Sequence, residues 1–370
     1  MKRLALIWLF ALGVALAGCT KVELASSTQR EITFAVGKYV TETKASSSLN
    51  GSDDAITAFQ SRGFLHANGI DATQEFFGAS GETITYNNGT YQWEPSHPYY
   101  WPKSANSYIN FVSWYDKNGA PTTVSETALE WAGRTIVADD NILFADEAWR
   151  YNNNTTNSTQ YTNDNITTGV PTLFHHALTR AQINLKSKYA ANPENASETY
   201  EVTLHSARID GIYFSGNMSM TNSDPGANSP RTTRAWSNQN QIYFWTPTGT
   251  VTSSESPFSF VSSNTGITTT SQAILNLRSF MPQSLENAIL VLNYSITTKR
   301  NGVVTLTEDN IPSTINLNLI KNTSGIAITD WLPNRIYTYN LTIDPICQDI
   351  LIYPTLESNW EVTELSVSVE

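Results

Sequence analysis

The chain has 370 residues, with 22 Lys and Arg against 33 Asp and Glu, so its formal net charge is −11. This acidity argues against nucleic acid as a partner, because phosphate binding requires a basic surface. Hydrophobic residues make up 40% of the chain, which is enough for packed cores, whereas Ser, Thr and Asn account for 117 residues (37, 46 and 34). Thr favours strands, and Asn and Ser favour turns. The composition therefore predicts an all-β, loop-rich, extracytoplasmic protein, long enough for two domains.

The N-terminus has the features of a secretion signal. Lys2 and Arg3 precede an apolar run over residues 4–17, which is too short for a comfortable membrane span. The run ends in Leu-Ala-Gly-Cys, which resembles the lipobox of bacterial lipoproteins, whose cysteine is acylated and becomes the mature N-terminus. We expect a signal peptide over residues 1–18 and a lipid on Cys19 that anchors the chain in the outer membrane, as Lys21 two positions later also favours. The alternative is an ordinary signal peptide that contains a cysteine.

The remaining sequence predicts short strands separated by turns. Strand 32–40 comes first, followed by one short helix over residues 53–60. Asn88-Gly89 and Asn301-Gly302 each stand between alternating segments and predict two hairpins, over residues 83–93 and 290–307, with positive φ at the turn. The further predicted strands are residues 64–67, 109–115, 173–185, 200–212, 241–245, 273–280, 314–320, 336–343 and 362–369.

A polar tract over residues 151–169, rich in Asn and Thr, separates the two halves of the chain. Such a tract cannot build a core and is typical of a loop or linker. We therefore predict a propeptide with a removable strand over residues 19–44, one domain over residues 45–168 and a second over residues 169–370.

Motifs that carry chemistry are absent from the sequence. There is no Gly-rich phosphate loop, no G-x-S-x-G and no H-E-x-x-H. His175 and His176 are adjacent in a predicted strand, so they point to opposite faces and cannot chelate one ion together. The acidic pairs Asp53-Asp54, Asp139-Asp140 and Asp146-Glu147 lack the spacing of a calcium loop and are interpreted as solvated loop charge.

This pattern predicts a protein that is not an enzyme and that holds no metal and no cofactor. Cys347 is the one cysteine left if Cys19 is acylated, which excludes a disulfide, and we expect it to be a small buried side chain.

Aromatic side chains are the one candidate binding signal in the first half. They are Trp93, Tyr99, Tyr100, Trp101, Trp114, Tyr115, Trp131 and Trp149. One interpretation is an exposed platform on which sugars stack, which makes a glycan-binding surface lipoprotein the alternative function. The other is that these rings fill the interior of a strand-rich domain, each burying about 150–250 Å².

Several weak motifs occur in a specific order along the chain. After Cys19 they are Ile32-Thr33-Phe34-Ala35-Val36, Thr43-Lys44-Ala45, Tyr99-Tyr100-Trp101-Pro102 leading to Ile109-Asn110-Phe111, Asp140-Asn141-Ile142-Leu143-Phe144-Ala145, Val170-Pro171-Thr172-Leu173-Phe174-His175-His176-Ala177-Leu178, Leu332-Pro333-Asn334-Arg335-Ile336-Tyr337-Thr338-Tyr339-Asn340-Leu341, and Trp360. The ordered set spans the chain and resembles the fimbrillin (Mfa-like) family, the subunits of type V pili in Bacteroides-type bacteria.

This resemblance implies two tandem transthyretin-like β-sandwich domains and assembly by strand exchange. A lipoprotein precursor reaches the cell surface, and a trypsin-like protease removes an N-terminal strand. The groove left behind accepts a strand from the next subunit, as in donor-strand complementation. A head-to-tail contact of this kind does not close, so it propagates into a filament.

Cleavage by a trypsin-like protease requires an accessible basic residue. Arg30, Lys38 and Lys44 are the candidates, and a flexible Ser-rich stretch follows Lys44-Ala45. Cutting after Lys44 would release the whole of strand 32–40, whereas cutting after Arg30 would leave it in place, so we favour Lys44.

The donor candidate is the tail that follows Asp344-Pro345. It contains Ile350-Leu351-Ile352 and the terminal run with Trp360, Val362, Leu365, Val367 and Val369. The last three fall on one face at a period of two, which suits insertion into an apolar groove. The alternative is that the tail completes its own second domain. The sequence thus predicts a stalk or tip subunit of an adhesive surface pilus, whose partners are other pilus subunits, the outer membrane, a trypsin-like protease and an adhesion target.

Overall fold

The computed structural model describes residues 31–38, 56–67, 73–90, 92–104, 107–145, 148–151, 169–221, 245–322 and 324–357. Strands dominate this part of the chain, which confirms the predicted all-β fold. One turn of 3₁₀ helix spans Leu317–Leu319. Within these ranges, no helix has the length and apolar character that crossing a bilayer would require.

The strands are numbered in chain order. Those that begin before residue 178 are β1 (Phe34–Lys38), β2 (Ala58–His66), β3 (Thr73–Glu75), β4 (Glu82–Asn87), β5 (Gln92–Pro95), β6 (Tyr108–Asp116), β7 (Thr123–Val124), β8 (Ala128–Thr135), β9 (Ile142–Ala145), β10 (Ala148–Tyr151) and β11 (Val170–His176). Those that follow are β12 (Thr179–Ser187), β13 (Ala191–Asn192), β14 (Asn195–Asp210), β15 (Ser215–Thr221), β16 (Trp245–Pro247), β17 (Phe258–Val261), β18 (Thr265–Ile267), β19 (Gln272–Phe280), β20 (Gln283–Ser284), β21 (Ile289–Arg300), β22 (Val303–Asn316), β23 (Asp330–Trp331), β24 (Ile336–Ile343) and β25 (Ile350–Glu357).

The largest sheet curls into a closed ring of strands. Its order is β10-β6-β9-β11-β1-β5-β4-β2-β3, and β6 also pairs with β2, from Gln60 opposite Trp114 to His66 opposite Tyr108. Seven strands, β2-β6-β9-β11-β1-β5-β4, therefore each have a neighbour on both sides. Strand β1 runs parallel to β11 and antiparallel to β5. An apolar core that includes Phe34, Trp93 and Phe111 fills the ring.

A second, four-stranded sheet covers one outer side of the ring. Its order is β16-β15-β8-β7, and its Trp131 and Met218 pack with Val112 and Trp114 from β6. Phe111 points into the ring, so β6 is buried on both of its faces. Because β15 and β16 come from the second half of the sequence, this sheet joins the two halves into one packed structure.

The second half forms a sandwich of two sheets. The sheet ordered β19-β12-β24-β25 packs against a sheet whose path is β13-β14-β21-β22, with β17 and β18 also pairing with β14. Buried side chains from both sheets, such as Ile183, Leu204, Leu292 and Tyr339, share one core. The short pair β20–β23 does not pair with either sheet, but Trp331 of β23 is buried in the same core. The predicted sandwich architecture is confirmed here.

The two predicted hairpins form, with different turns. Arg300 pairs with Val303, and Asn301 and Gly302 have φ of 51° and 80°, as the sequence predicts. In the first hairpin Asn87 pairs with Gln92, which leaves four residues in the loop. The predicted positive φ is wrong there, because the Gly89 N–H donates to the Asn87 side-chain oxygen at 2.8 Å and closes an Asx turn instead.

Several predicted elements differ from the structure. The strand over residues 314–320 is wrong, because β22 already runs from Val303 to Asn316 and Leu317–Leu319 form a 3₁₀ turn. The helix over residues 53–60 is wrong at its described end, because β2 starts at Ala58 and places Phe59 in the ring core. The single strand over residues 173–185 is interrupted at Ala177 and Leu178, which are buried where the chain leaves β11 for β12. Strand β11 thus pairs within the ring, although the sequence places it after the predicted domain boundary. The domain limits themselves stay a prediction.

Cys347 corrects a further expectation, since its side chain is exposed. It lies in the turn between β24 and β25. Its backbone N–H donates to the Asp344 carboxylate, and that turn keeps the side chain outside both sheets.

The prediction that Asp139 and Asp140 are solvated loop charges holds for Asp139 and is wrong for Asp140. Asp139 is solvated, but the Asp140 side chain is 0% exposed and lies 2.9 Å from Arg134. Arg134 also bonds the buried Asp116 at 3.0 Å, so one guanidinium joins β6, β8 and the loop before β9. Burial lowers the pKa of Arg134, but hydrogen bonds and charge from Asp116 and then Asp140 outweigh it and raise that pKa overall. The cluster is a buried, fully bonded ionic bridge between the ring and the sheet that covers it.

Replacing Asp140 by Ala should lower the free energy of unfolding by about 3 kcal/mol, because it leaves a partly buried guanidinium with one carboxylate fewer and breaks the bond to Val137 N–H. The neighbouring change Asp139→Ala is the matched control and should have a much smaller effect. Urea unfolding followed by Trp fluorescence measures both. Equal effects of the two substitutions would contradict the bridge.

Candidate functional site

Strand β1 fills a slot between β5 and β11. We call this space the β1 slot; it holds residues 32–36. Ile32, Phe34 and Val36 are 1–2% exposed, whereas the alternating residues Thr33 and Ala35 are only partly buried. This period of two places one apolar face in the ring core, as the sequence predicts.

Backbone hydrogen bonds hold β1 along both sides. The Ile32 N–H donates to the Tyr99 carbonyl at 2.8 Å, and the Val170 N–H donates to the Thr33 carbonyl at 2.7 Å. Glu31 forms a bridge to Tyr100. In the register with β11, Phe34 lies opposite Val170 and Lys38 opposite Phe174.

Phe34 occupies the centre of the β1 slot. Its ring meets Phe59 and Phe111 edge-on, with centroids 5.7 and 5.5 Å apart, and lies 6.4 Å from Phe77. Edge-to-face pairs add to the stabilisation from burial alone. The slot therefore has an aromatic pocket at its middle position.

Gly169 fixes how closely β1 approaches β11. Its φ is +120°, and a Cβ there would lie 2.6 Å from the Thr33 carbonyl oxygen and 2.9 Å from the Phe34 carbonyl carbon. No side chain fits, so this position requires glycine. Sequence reasoning missed it, because a single Gly next to a Val-Pro strand carries no distinctive signal.

Three of the family-like motifs converge on the β1 slot. The first supplies β1, the Tyr99-Tyr100-Trp101-Pro102 motif lies along one side, and the motif that starts at Val170 supplies β11. The Asp140 motif supplies β9, which pairs with β11. Motifs that are far apart in the sequence thus build one structural feature.

Glu82 supports the segment that flanks β1. Its side chain is 8% exposed, accepts a hydrogen bond from the Tyr99 hydroxyl at 3.1 Å, and lies 2.9 Å from His97 Nδ1. Burial raises the pKa of Glu82, but hydrogen bonds from His97, Tyr99 and Ser96 outweigh it, so that pKa is lowered overall. The Tyr99 carbonyl accepts a hydrogen bond from the Ile32 N–H. By holding the Tyr99 side chain, the Glu82 carboxylate therefore helps to position the edge of the β1 slot.

The predicted site residues fall mostly outside the described ranges. These are Cys19, Arg30, Lys44, Ala45, Trp360, Val362, Leu365, Val367 and Val369. Lipidation, cleavage and strand donation at these positions stay predictions.

The start of the predicted donor tail has a place in the second sandwich. Residues 350–352 begin β25, which pairs with β24 of its own chain, and Ile350 and Ile352 pack on that core. Up to Glu357, the tail therefore completes its own domain. The predicted strand over residues 362–369 lies beyond the described part.

Of the two interpretations of the aromatic residues, burial in the interior is confirmed for four of them and the exposed platform is wrong for those four. Trp93, Trp101, Trp114 and Trp131 are buried in the two cores of the first half, at 0–6% exposure. Tyr99 and Tyr115 are partly buried, Tyr100 is 41% exposed, and the side chain of Trp149 lies outside the described set. The four buried Trp rings stabilise the interior, and among the described members only Tyr100 is exposed.

The adjacent histidines have separate surroundings. His176 is buried and its Nδ1 lies 3.1 Å from the Asn141 side-chain oxygen, whereas His175 stacks on Phe144. Within the described residues, no group of three or more His, Cys, Asp or Glu side chains could hold a metal ion.

Comparison with known proteins gives similarity at the level of structure alone. No family model matches the sequence, and no curated protein matches it. The chain is similar to a fimbrial protein from Bacteroides vulgatus, with 16% identity and a TM-score of 0.48 over 90% of this chain and 100% of that one. It is also similar to a fimbrilin from Porphyromonas gingivalis, with 10% identity and a TM-score of 0.37 over 91% of this chain and 98% of that one.

The lowered pKa of Glu82 predicts a pH dependence of stability. A carboxylate whose pKa is lower in the folded chain stabilises it above the unfolded pKa of about 4.3 and loses this effect as the pH falls through the folded value. Glu82→Gln should therefore cost about 1–2 kcal/mol of unfolding free energy at pH 7, and the difference from the unmodified chain should shrink below about pH 4. Urea unfolding at a series of pH values measures this, with the exposed Glu286→Gln as the control. A difference that stays constant between pH 7 and pH 3 would contradict the assignment.

Proposed function

We propose that the chain is a non-enzymatic stalk or tip subunit of an adhesive surface pilus, assembled by exchanging β1 for a strand of a neighbouring subunit. The observation that carries this proposal is the position of β1. An N-terminal strand closes the ring, yet it pairs with β5 and β11 and not with β2, the next described strand in the sequence.

Loss of β1 would leave a defined vacancy. The pocket around Phe34 would lose its central ring, and the backbone of β11 and of the segment around Tyr99 would lose hydrogen-bond partners. Unpaired strand edges and exposed apolar surface bind a suitable extended segment strongly. A donated strand would restore both the hydrogen bonds and the core.

Proteolysis would make β1 removable. The described part of β1 ends at Lys38, and the next described residue is Ile56. A cut after Lys44 would separate β1 from the rest of the chain, with Ala45 as the new N-terminus, and would leave only non-covalent contacts to hold it. A cut after Arg30 would precede β1 and leave it attached.

The same cut would release the membrane anchor. Lipid on Cys19 would hold the precursor at the outer membrane, and Cys19 precedes Lys44 in the sequence. Removing residues 19–44 would therefore free the subunit from the membrane and open its β1 slot in a single step.

The tail carries a sequence that resembles β1. Residues 364–370 read Glu-Leu-Ser-Val-Ser-Val-Glu, and residues 31–37 read Glu-Ile-Thr-Phe-Ala-Val-Gly. Both place apolar residues at every second position, with small residues between them, in the same phase, which suits the same kind of slot. This similarity supports the tail as a donor strand toward another subunit.

The proposal predicts processing and assembly that depend on Lys44. In the surface fraction of cells that make the chain, the processed protein should begin at Ala45 and run on a gel as a ladder that collapses on boiling. Lys44→Gln should retain the N-terminal segment and abolish the ladder, while the control Arg30→Gln should leave both unchanged. N-terminal sequencing and an immunoblot measure these outcomes. A processed chain that begins at Glu31, or one that begins at Ala45 and runs only as a monomer, would contradict the proposal.

A further inference from the structure

We infer that the β1 slot selects incoming strands by their central side chain: it takes segments with the pattern aliphatic-x-Phe-x-aliphatic and discriminates against those with a smaller central residue. This inference rests on the proposed function. It implies that the subunit that donates a strand into the β1 slot of this chain is a different protein, which carries a strand of that pattern.

The first step is the shape of the pocket. Phe34 contacts the rings of Phe59, Phe77 and Phe111, and it is 1% exposed. These three phenylalanine side chains belong to the core inside the closed sheet and remain in place when β1 leaves. A valine at the central position would lack the atoms that meet them, and the cavity would persist, since packed cores relax only in part.

The second step is the register. In the observed register Phe34 lies opposite Val170, and its ring occupies the aromatic pocket. A shift by one residue would turn the apolar face outward. A shift by two residues would move the aromatic side chain to the position of Ile32 or Val36. The Phe34 pocket would then receive an aliphatic side chain. The pocket therefore reads one particular residue of the incoming strand.

The third step applies this rule to the tail of the chain itself. Leu365, Val367 and Val369 correspond to Ile32, Phe34 and Val36, so the tail differs from β1 mainly at the centre. The other alignment that offers an aromatic residue centres Trp360 and puts Ser358 at the position of Ile32. The tail of this chain is thus a weak occupant of the β1 slot of a second copy. A donor strand from another subunit, with phenylalanine at its central position, binds that slot better.

A strand-exchange assay on the full chain tests this selectivity. A specific protease site inserted after Lys44 allows a single cut, and fluorescent peptides in excess then compete with the bound β1 segment. The peptides are residues 31–38, the same peptide with Phe34→Val, residues 363–370, and residues 363–370 with Val367→Phe or, as the matched control, Ser366→Phe. Fluorescence anisotropy measures the affinity of each peptide.

We expect the 31–38 peptide to bind at least about tenfold more tightly than its Phe34→Val form and than the unmodified tail peptide. Val367→Phe should recover most of that factor in the tail peptide. Ser366→Phe should not, because it places the ring on the outward face. Equal affinities for all peptides that bind would overturn the selectivity and leave the proposed function intact. If no peptide bound, including residues 31–38, exchange itself would be absent and both proposals would fail.

Discussion

One strand, β1, completes the ring of strands in the first half of this protein. Strand β1 lies between β5 and β11, its apolar face fills the middle of the ring, and it runs parallel to a strand more than 130 residues later in the sequence. Parallel strands cannot be connected by a short turn. What holds β1 beside β11 is therefore hydrogen bonds and packing, and not a short covalent connection. Under the proposed exchange, removal of β1 would open the ring and leave the other strands folded.

The remaining structure forms a frame around that strand. The Arg134 cluster ties the ring to the covering sheet, and Trp131 and Met218 pack between them. The second sandwich has its own core, with Tyr337 and Tyr339 bonded to the backbone of Asp330 and the indole of Trp331. Neither the cluster nor this core includes a residue of β1. Under the proposed exchange, this frame would therefore keep the shape of the β1 slot while its occupant changes.

Much of the fold could be predicted from local patterns. Short segments of strand-forming residues identified β1, β6, β19 and β24, and Asn301-Gly302 identified a tight turn, because each signal depends only on neighbouring residues. Long-range facts were not predictable: the burial of Asp140 depends on Arg134, and the pairing of β1 depends on β11. Whether Trp93 and Trp101 are buried or exposed could not be predicted for the same reason, since composition does not show which face of a strand meets the core. The helix over residues 53–60 failed because pairing of β2 with β4 and β6 overrides weak local capping signals.

Hydrogen exchange in the absence of β1 tests the central claim most directly. The measurement compares the chain that begins at Ala45 with the chain that retains residues 19–44, amide by amide. The account predicts faster exchange in β11 and around Tyr99, which border the slot, with unchanged protection in β14 and β21 of the second sandwich. Unchanged protection along β11 and around Tyr99 would show that β1 does not complete the ring, and that result would contradict the account.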